Sequence, residues 1–217
     1  VENILTQENG LLCEELKDKT IIDLTTNHDE EVLKFHKLVN NIGGNYLENP
    51  VFGSVAPALN GALTVVSSGK IEVFERVKPI LEKIAIEIFH LEVPSSAIKM
   101  KLINNLCLGS FMATLAECTA LAENCEIPKA KALEILGVGG GQSLVLKAKT
   151  QKLISEDFSA HFSNNAINKD LHLVQDLAYN LKQPLYSACV PKELFSKMKM
   201  MGKGEEDFSS IYQLFKK

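Results

Sequence analysis

The pattern of apolar residues changes once along this chain, near Pro94-Ser95-Ser96. Before this point, short β-branched runs alternate with helical patterns, which is typical of a parallel or mixed α/β sheet. We expect strands at 20–25, 46–51, 62–66 and 84–90, and helices at 29–40 and 70–83. After it, only helical patterns follow. The sequence therefore predicts an α/β domain over residues 1–94 and an all-α domain over residues 95–217.

The second half is organised around one long helical pattern, residues 99–124. Its apolar residues occupy most faces, so we expect it to be buried among other helices. Three further helices are predicted at 129–136, 168–181 and 191–201. The uncharged stretch 102–116 is too short to cross a bilayer, so we expect no transmembrane helix.

The predicted sheet is incomplete. Four strands are few for an independent doubly wound sheet, and no glycine-rich strand-to-helix turn occurs in the first half. We therefore expect a further βαβαβ unit of about 60–80 residues to precede Val1, scaling from about 30 residues for one βαβ unit.

Charge limits the partners. The chain carries a net charge of −4, unevenly divided between an acidic first half and a basic second half, and has no dense basic stripe typical of a nucleic-acid binder. Arg76 is the one arginine, so a bidentate arginine clamp on a carboxylate is nearly excluded. We expect a small anionic ligand to be held by lysine, amides, hydroxyls or backbone N–H groups.

The cysteines indicate the compartment. Five cysteines without paired spacing favour reduced thiols in a cytosol-like environment, and no basic-then-apolar leader opens the sequence. We therefore expect a cytoplasmic protein, in which Cys107, Cys118 and Cys125 are small apolar fillers of the long helix.

The strongest local signal is Lys101 with Asn104 and Asn105. Residues three and four apart share a face of a helix, so these three side chains are neighbours. Desolvation would lower the pKa of such a lysine and let it exchange a proton near neutral pH. The alternative is a solvated lysine–asparagine patch at the start of a helix.

Three other segments are candidates with plain alternatives. The strand that empties into residues 52–54 exposes backbone N–H groups where ligands bind at open sheet ends, or is an ordinary loop. Lys169, predicted in the first turn of a helix, either contacts phosphate or lies on the surface. The run 137–142 follows no strand, so we interpret it as a helix–helix loop. The five histidines lack metal-ligand spacing, so no metal site is expected.

Taken in order, these segments resemble the β-hydroxyacid dehydrogenase family, whose best-known member is 3-hydroxyisobutyrate dehydrogenase. Residues 22–26 are similar to the family's strand ending in a Ser/Thr pair, and residues 48–54 to its Asp-Ala-Pro-Val-Ser-Gly-Gly loop. Lys101, Asn104 and Asn105 match its K-L-x-N-N motif. Residues 169–171 match its K-D-L motif, and residues 204–209 its G-x-x-D-F-S pattern.

The resemblance implies the second half of a Rossmann-like NAD(P)-binding domain followed by an all-α substrate and dimerisation domain. It implies an NAD- or NADP-dependent oxidoreductase that interconverts a small β-hydroxy acid and its semialdehyde, and a homodimer formed by the all-α domain. It assigns the general acid/base to Lys101, and substrate contacts to Phe52, Gly53, Ser54, Asn104 and Asn105. Thr25 and Lys169 would lie near the cofactor.

Two departures from the family pattern bear on function. Phe52 replaces the loop serine and Ser54 its paired glycine, while Ser95 and Ala97 replace glycines before the catalytic lysine. We therefore expect a different substrate pocket, for another semialdehyde or an imine. The family's G-x-G-x-x-G turn would precede Val1, so this chain is not expected to be active alone unless another chain supplies that piece.

Two alternatives remain beside this reading. One is a non-catalytic dimeric binding or scaffold module of the same fold. The other is an imine reductase-like enzyme, which would need a proton donor other than Lys101. The choice between NAD and NADP is left open.

Overall fold

A computed structural model describes residues 1–13 and 15–217. The chain forms two compact units, residues 1–103 and 104–217. The division falls within the longest helix, α5, Ser96–Asn124, whereas the sequence-based domain boundary between residues 94 and 95 lies just before that helix begins.

The first unit contains a mixed sheet, which is one of the two sheet types that the sequence predicts. Its strands are β1 (Thr20–Asp23), β2 (Asn45–Glu48), β3 (Val51–Phe52), β4 (Leu63–Ser68) and β5 (Ala85–Leu91). β1 pairs in parallel with β2, and β4 in parallel with β5, while β4 runs antiparallel to both β2 and β3.

The single strand predicted over 46–51 is wrong, because β2 ends at Glu48 and β3 begins at Val51. Pro50 lies in the gap and has no N–H to donate to a ladder. Its carbonyl still accepts a hydrogen bond from the backbone N–H of Val66 at 3.3 Å. The interruption therefore divides the predicted strand into β2 and β3.

Helices α1 (Glu2–Thr6), α2 (Asp29–Asn41), α3 (Val55–Leu59) and α4 (Ile71–Leu81) complete the first unit, with a short 3-10 helix at Leu11–Cys13. The helices predicted at 29–40 and 70–83 are confirmed as α2 and α4. Their apolar faces pack on the sheet: Phe35 joins a cluster with Tyr46, and Phe74 one with Leu47. The five-residue helices α1 and α3 are too short to show a helical period.

The second unit is helical, as predicted. It holds the rest of α5, then α6 (Lys129–Leu136), α7 (Leu144–Ser155), α8 (Asn164–Asn180), α9 (Tyr186–Met200) and a 3-10 helix at Phe208–Leu214. α6 has its predicted bounds, and the loop prediction for 137–142 is confirmed. α7 was not predicted, although Ser143 marks its start by accepting a hydrogen bond from the N–H of Leu146 at 3.0 Å.

The predicted starts of the last two long helices are wrong. α8 begins at Asn164, where Ser163 accepts a hydrogen bond from the N–H of Ala166. Lys169 is therefore not in its first turn. α9 begins before Pro191, which lies inside it. The carbonyl of Ser187, which a proline four residues on leaves without its helical partner, accepts a hydrogen bond from Ser110 Oγ at 3.3 Å.

Asp207 ties the second unit together. Its fully buried carboxylate accepts hydrogen bonds from Lys149 Nζ at 2.8 Å, from the N–H groups of His161 and Phe162, and from the N–H and Oγ of Ser209. Burial acts to raise the pKa of Asp207, but the hydrogen bonds from Lys149 and Ser209 outweigh it and lower that pKa. The G-x-x-D-F-S segment therefore has a structural role, because its aspartate, Asp207, links α7, residues 161–162 and the 3-10 helix at Phe208–Leu214.

The expected burial of α5 holds for part of its surface. Leu102, Met112 and Ala116 are buried, whereas Phe111 and Leu121 are exposed. The prediction that the cysteines are apolar fillers is wrong, because the thiols of Cys13, Cys107, Cys118, Cys125 and Cys189 are free and belong to exposed residues. By length and composition alone α5 could cross a membrane, and 44% of its most apolar window is buried in the protein. Core helices of soluble proteins satisfy the same criterion.

Candidate active site

Lys101 lies in the second turn of α5 and contacts β3, the short strand that follows β2. Its Nζ donates a hydrogen bond to the carbonyl oxygen of Val51 at 2.8 Å. The same nitrogen lies 4.9 Å from the centroid of the Phe52 ring. The structure thus brings together two motifs that are 50 residues apart in the sequence.

A turn that only glycine fits follows Phe52. Gly53 has a φ of +127°, a region that side-chain-bearing residues rarely adopt. A Cβ on Gly53 would lie 2.8 Å from the Leu63 side chain and 3.2 Å from that of Pro57. Ser54 then caps the backbone start of α3. The turn therefore directs the chain away from Lys101 immediately after Phe52.

Phe52 changes the surroundings of the lysine relative to the family motif. A serine there would offer a hydroxyl donor, whereas an aromatic face offers only its negative quadrupole. Such a face attracts an ammonium group and so favours the protonated lysine. Phe52 therefore places an aromatic face, and no hydroxyl, beside Lys101 Nζ, and the altered substrate pocket stays a prediction.

Glu48, which sequence reasoning missed as a functional residue, binds the first turn of α5. Its side chain is 2% exposed, and Oε1 accepts hydrogen bonds from the N–H of Ala97 at 3.1 Å and from Ser68 Oγ. The other carboxylate oxygen, Oε2, is buried without a hydrogen-bond partner among the described residues. Burial raises the pKa of Glu48 to about 7, even though these hydrogen bonds act to lower it. A lone acid in an apolar strand was the available signal.

Ser95 shows why the family favours glycine before the lysine. Its φ is +68°, in the left-handed region that costs an L-residue roughly 1–2 kcal/mol. Ala97, the other replaced glycine, is fully buried and donates its N–H to Glu48. The carboxylate of Glu48 therefore binds one of the two replacement residues at the start of α5.

The raised pKa of Glu48 predicts a pH-dependent stability. A carboxyl whose pKa is higher folded than unfolded stabilises the fold fully below its unfolded pKa, and this stabilisation is lost as pH rises through the folded value. From the ordinary value of 4.5 to about 7, the loss is at most about 3 kcal/mol. We expect the free energy of unfolding to fall between about pH 5 and pH 8. Glu48→Gln should flatten that slope in chemical denaturation, and an unchanged slope would contradict the assignment.

Thr25 lies at the carboxyl end of β1, where parallel strands bind ligands. Its N–H and Oγ1 donate to Asp23 Oδ1 at 2.9 and 2.6 Å, and Asn27 Nδ2 donates to Thr25 Oγ1 at 2.5 Å. Tyr46 holds the other carboxylate oxygen of Asp23. The hydroxyl of Thr25 and the amide of Asn27, beside the exposed Leu24, are groups that can hydrogen-bond the carboxamide of a nicotinamide ring. Their chemistry is compatible with that end of NAD(P), and the placement of Thr25 near the cofactor stays a prediction.

The second unit carries the remaining predicted residues in one cluster. Asn104 Nδ2 donates to Asn105 Oδ1 at 3.0 Å, and Asn105 Nδ2 donates to Asp170 Oδ2 at 2.6 Å. Lys169 Nζ lies 2.9 Å from Asp170 Oδ1, and its side chain is 52% exposed. Asn105 and Asp170 are buried. Asp170, a residue that the resemblance did not single out, therefore fixes the orientation of the Asn105 amide.

Removing the Asp170 carboxylate should be expensive. Asp170→Ala leaves the buried Asn105 amide without its acceptor, and such a group costs about 1–3 kcal/mol. We expect this loss in the free energy of unfolding, together with lower turnover. Asp176→Ala, at an exposed position of the same helix, should stay within about 0.5 kcal/mol of the wild type. Equal effects of the two substitutions would refute a specific role for Asp170.

One cavity of about 180 Å³ lies in the first unit. It is lined by His36, Tyr46, Lys70, Glu92 and neighbouring residues, none of them a predicted site residue. Burial lowers the pKa of His36 to about 4, so this imidazole is neutral. Among residues 1–13 and 15–217, no group of three or more side chains could hold a metal ion.

Comparison with known proteins defines the class. Residues 1–92 match the family model described as the NAD-binding domain of 6-phosphogluconate dehydrogenase. Residues 96–215 match that described as NAD-binding of NADP-dependent 3-hydroxyisobutyrate dehydrogenase. With its mixed α/β unit and its helical unit, the chain is an NAD(P)-dependent oxidoreductase.

Individual relatives agree. The chain is 30% identical to 2-(hydroxymethyl)glutarate dehydrogenase of Eubacterium barkeri, over 99% of this chain and 72% of that protein. It is 30% identical to 3-sulfolactaldehyde reductase of Escherichia coli, over 98% and 72%. The solved structure of 3-hydroxyisobutyrate dehydrogenase from Salmonella typhimurium is 26% identical with a TM-score of 0.89, over 95% and 73%. The chain belongs to the β-hydroxyacid dehydrogenase family.

Proposed function

We propose that this protein reversibly reduces a small semialdehyde to the matching β-hydroxy acid, with Lys101 as the general acid and base. The observation that carries the proposal is the position of Lys101, whose Nζ is held by the Val51 carbonyl and the Phe52 ring. These contacts are made by the loop in which the family's substrate motif lies.

The chemistry asked of Lys101 is a single proton transfer. When bound, NAD(P)H supplies the hydride that adds to the carbonyl carbon. Lys101 in its ammonium form gives a proton to the carbonyl oxygen as negative charge develops there, and the neutral amine takes it back in the reverse direction. The Val51 carbonyl and the Phe52 face both stabilise the ammonium form, which is the form needed for reduction.

The substrate carboxylate has few strong partners to choose from. The only arginine, Arg76, lies on α4 outside the proposed site. We propose that the backbone N–H groups around Gly53 and Ser54 bind the carboxylate, that Asn105 orients the substrate with the help of Asn104, and that Lys169 contacts the cofactor. Phe52 leaves less room and one hydroxyl fewer than the family's serine, which favours a substrate different from 3-hydroxyisobutyrate.

A substrate panel on the full-length gene product tests the proposal. Small semialdehydes, matched β-hydroxy acids and one cyclic imine are each assayed with NADH and NADPH in excess. We expect turnover of at least one semialdehyde. The analogous aldehyde that lacks the carboxylate should not be turned over. Reduction of the imine alone would favour an imine reductase. Cofactor binding without any turnover would favour a non-catalytic module and would refute the proposal.

We also propose a homodimer formed by the helical unit. Seven large apolar residues among those described in this unit are 63% to 88% exposed, namely Leu121, Val138, Leu144, Tyr179, Leu181, Tyr186 and Met200. Exposed apolar residues that form one patch are typical of protein–protein contacts. Light scattering should give twice the monomer mass at micromolar concentration, and a monomer would refute this assembly.

A further inference from the structure

Lys101 belongs to a closed ring made of two backbone segments and the two hydrogen bonds that join them. From Glu48 the chain runs through Asn49 and Pro50 to Val51, whose carbonyl accepts the hydrogen bond of Lys101. From Lys101, α5 runs back to Ala97, whose N–H returns to Glu48 Oε1 at 3.1 Å. Two hydrogen bonds therefore fix the lysine to the strand, and Glu48 makes one of them.

The side chain of Glu48 suits this task. A carboxylate at a helix N-terminus satisfies N–H groups that have no partner within the helix, and it interacts favourably with the helix dipole. Here the N–H of Ala97, in the first turn of α5, donates to Glu48 Oε1. The site is dry, since Glu48 is 2% exposed, and Ser68 Oγ holds the same oxygen from β4. The first turn of α5 thus has one rigid anchor on β2.

Resting on the proposed function, we propose that Glu48 is a positioning residue for the reaction. By anchoring the first turn of α5 on β2, it sets the distance between Lys101 Nζ and β3, which consists of Val51 and Phe52. We assign it no direct contact with substrate or cofactor, because the residue is 2% exposed. Misplacement of a reacting group by about 1 Å costs on the order of 100-fold in rate, so the anchor governs turnover.

Two substitutions in the full-length protein separate the anchor from the charge. Glu48→Gln keeps an acceptor oxygen of the same length, so kcat should stay within a few-fold of the wild type. Glu48→Ala removes every hydrogen bond, so kcat should fall about 100-fold while KM for the cofactor changes little. Amide hydrogen exchange of residues 95–99 should accelerate in the alanine variant and not in the glutamine variant.

A matched control removes a helix cap elsewhere. Ser143→Ala deletes the side-chain cap of α7 and should lower Tm, yet leave kcat and the exchange of residues 95–99 unchanged. If Ser143→Ala lowers kcat as much as Glu48→Ala does, general destabilisation explains the loss and the inference is overturned. An unchanged kcat in Glu48→Ala overturns it as well.

A readout independent of turnover keeps the two proposals distinguishable. The rate at which an amine-directed acylating reagent labels Lys101, followed by peptide mass spectrometry, reports whether the lysine is held. Glu48→Ala should raise this rate several-fold relative to that of the exposed Lys131 on α6. An unchanged rate would overturn the positioning role whatever Lys101 does. A raised rate together with full turnover in Lys101→Ala would leave the anchor standing and remove the proposed function.

Discussion

Lys101→Ala should lower kcat for semialdehyde reduction by about 100- to 10,000-fold, which is the usual contribution of a positioned general acid. The alanine variant loses both the proton donor and the contact with the Val51 carbonyl. Because Lys101 is only partly buried, its removal should leave the fold and cofactor binding intact. Steady-state kinetics and a cofactor titration check the two halves of this expectation.

Two further lysine variants make the result specific. Lys101→Arg keeps a positive charge but cannot release a proton near neutral pH, so it should be about as inactive as the alanine variant. Lys131→Ala, at an exposed site of α6, should behave as the wild type. A Lys101→Arg enzyme with near-normal kcat would show that charge alone suffices and that Lys101 transfers no proton.

Asp207→Ala should lower the free energy of unfolding by about 3–5 kcal/mol, the largest stability effect that we expect from one substitution. The change leaves the Lys149 ammonium buried without its partner and releases the N–H groups of His161, Phe162 and Ser209. Chemical denaturation of the variant measures the loss.

A double substitution tests the cause of that loss. Lys149→Met removes the stranded charge, so the Lys149→Met/Asp207→Ala protein should be more stable than the Asp207→Ala protein. Asp157→Ala removes one exposed hydrogen bond to the N–H of Ser159 and should cost less than about 1 kcal/mol. A double variant no more stable than the single one would mean that the backbone contacts, and not the ion pair, carry the effect.

The sequence predicted those elements whose periodic pattern is long enough to be read. α2 and α4 each place apolar residues at helical spacing against the sheet, and both lie within two residues of their predicted bounds. One error falls where a contact distant in sequence replaces a lost backbone partner. Pro191 was read as a helix start, yet α9 continues through it because Ser110 satisfies the carbonyl that it leaves unpaired. No local pattern records such a contact.

The residues of the candidate site also fall into two groups, those that the sequence identified and those that it did not. Lys101 and the loop at residues 52–54 were recognisable because their residue types follow family motifs, and the structure brings Lys101 and Phe52 together. Glu48 and Asp170 were not predicted as site residues, because their contacts are with groups distant in the sequence. Glu48 accepts a hydrogen bond from the N–H of Ala97 and Asp170 one from the Asn105 amide, and both contacts form only once β2, α5 and α8 have folded.

Chemical rescue of Lys101→Ala by small primary amines tests the central claim most directly. If Lys101 transfers the proton, added amines should restore turnover in proportion to their concentration, and the logarithm of the restored rate should follow the pKa of the amine. Amines of equal size but different pKa separate proton transfer from filling of the vacant space. A variant that binds semialdehyde and cofactor normally, yet gains no activity from any amine, would contradict the assignment of the general acid and base to Lys101.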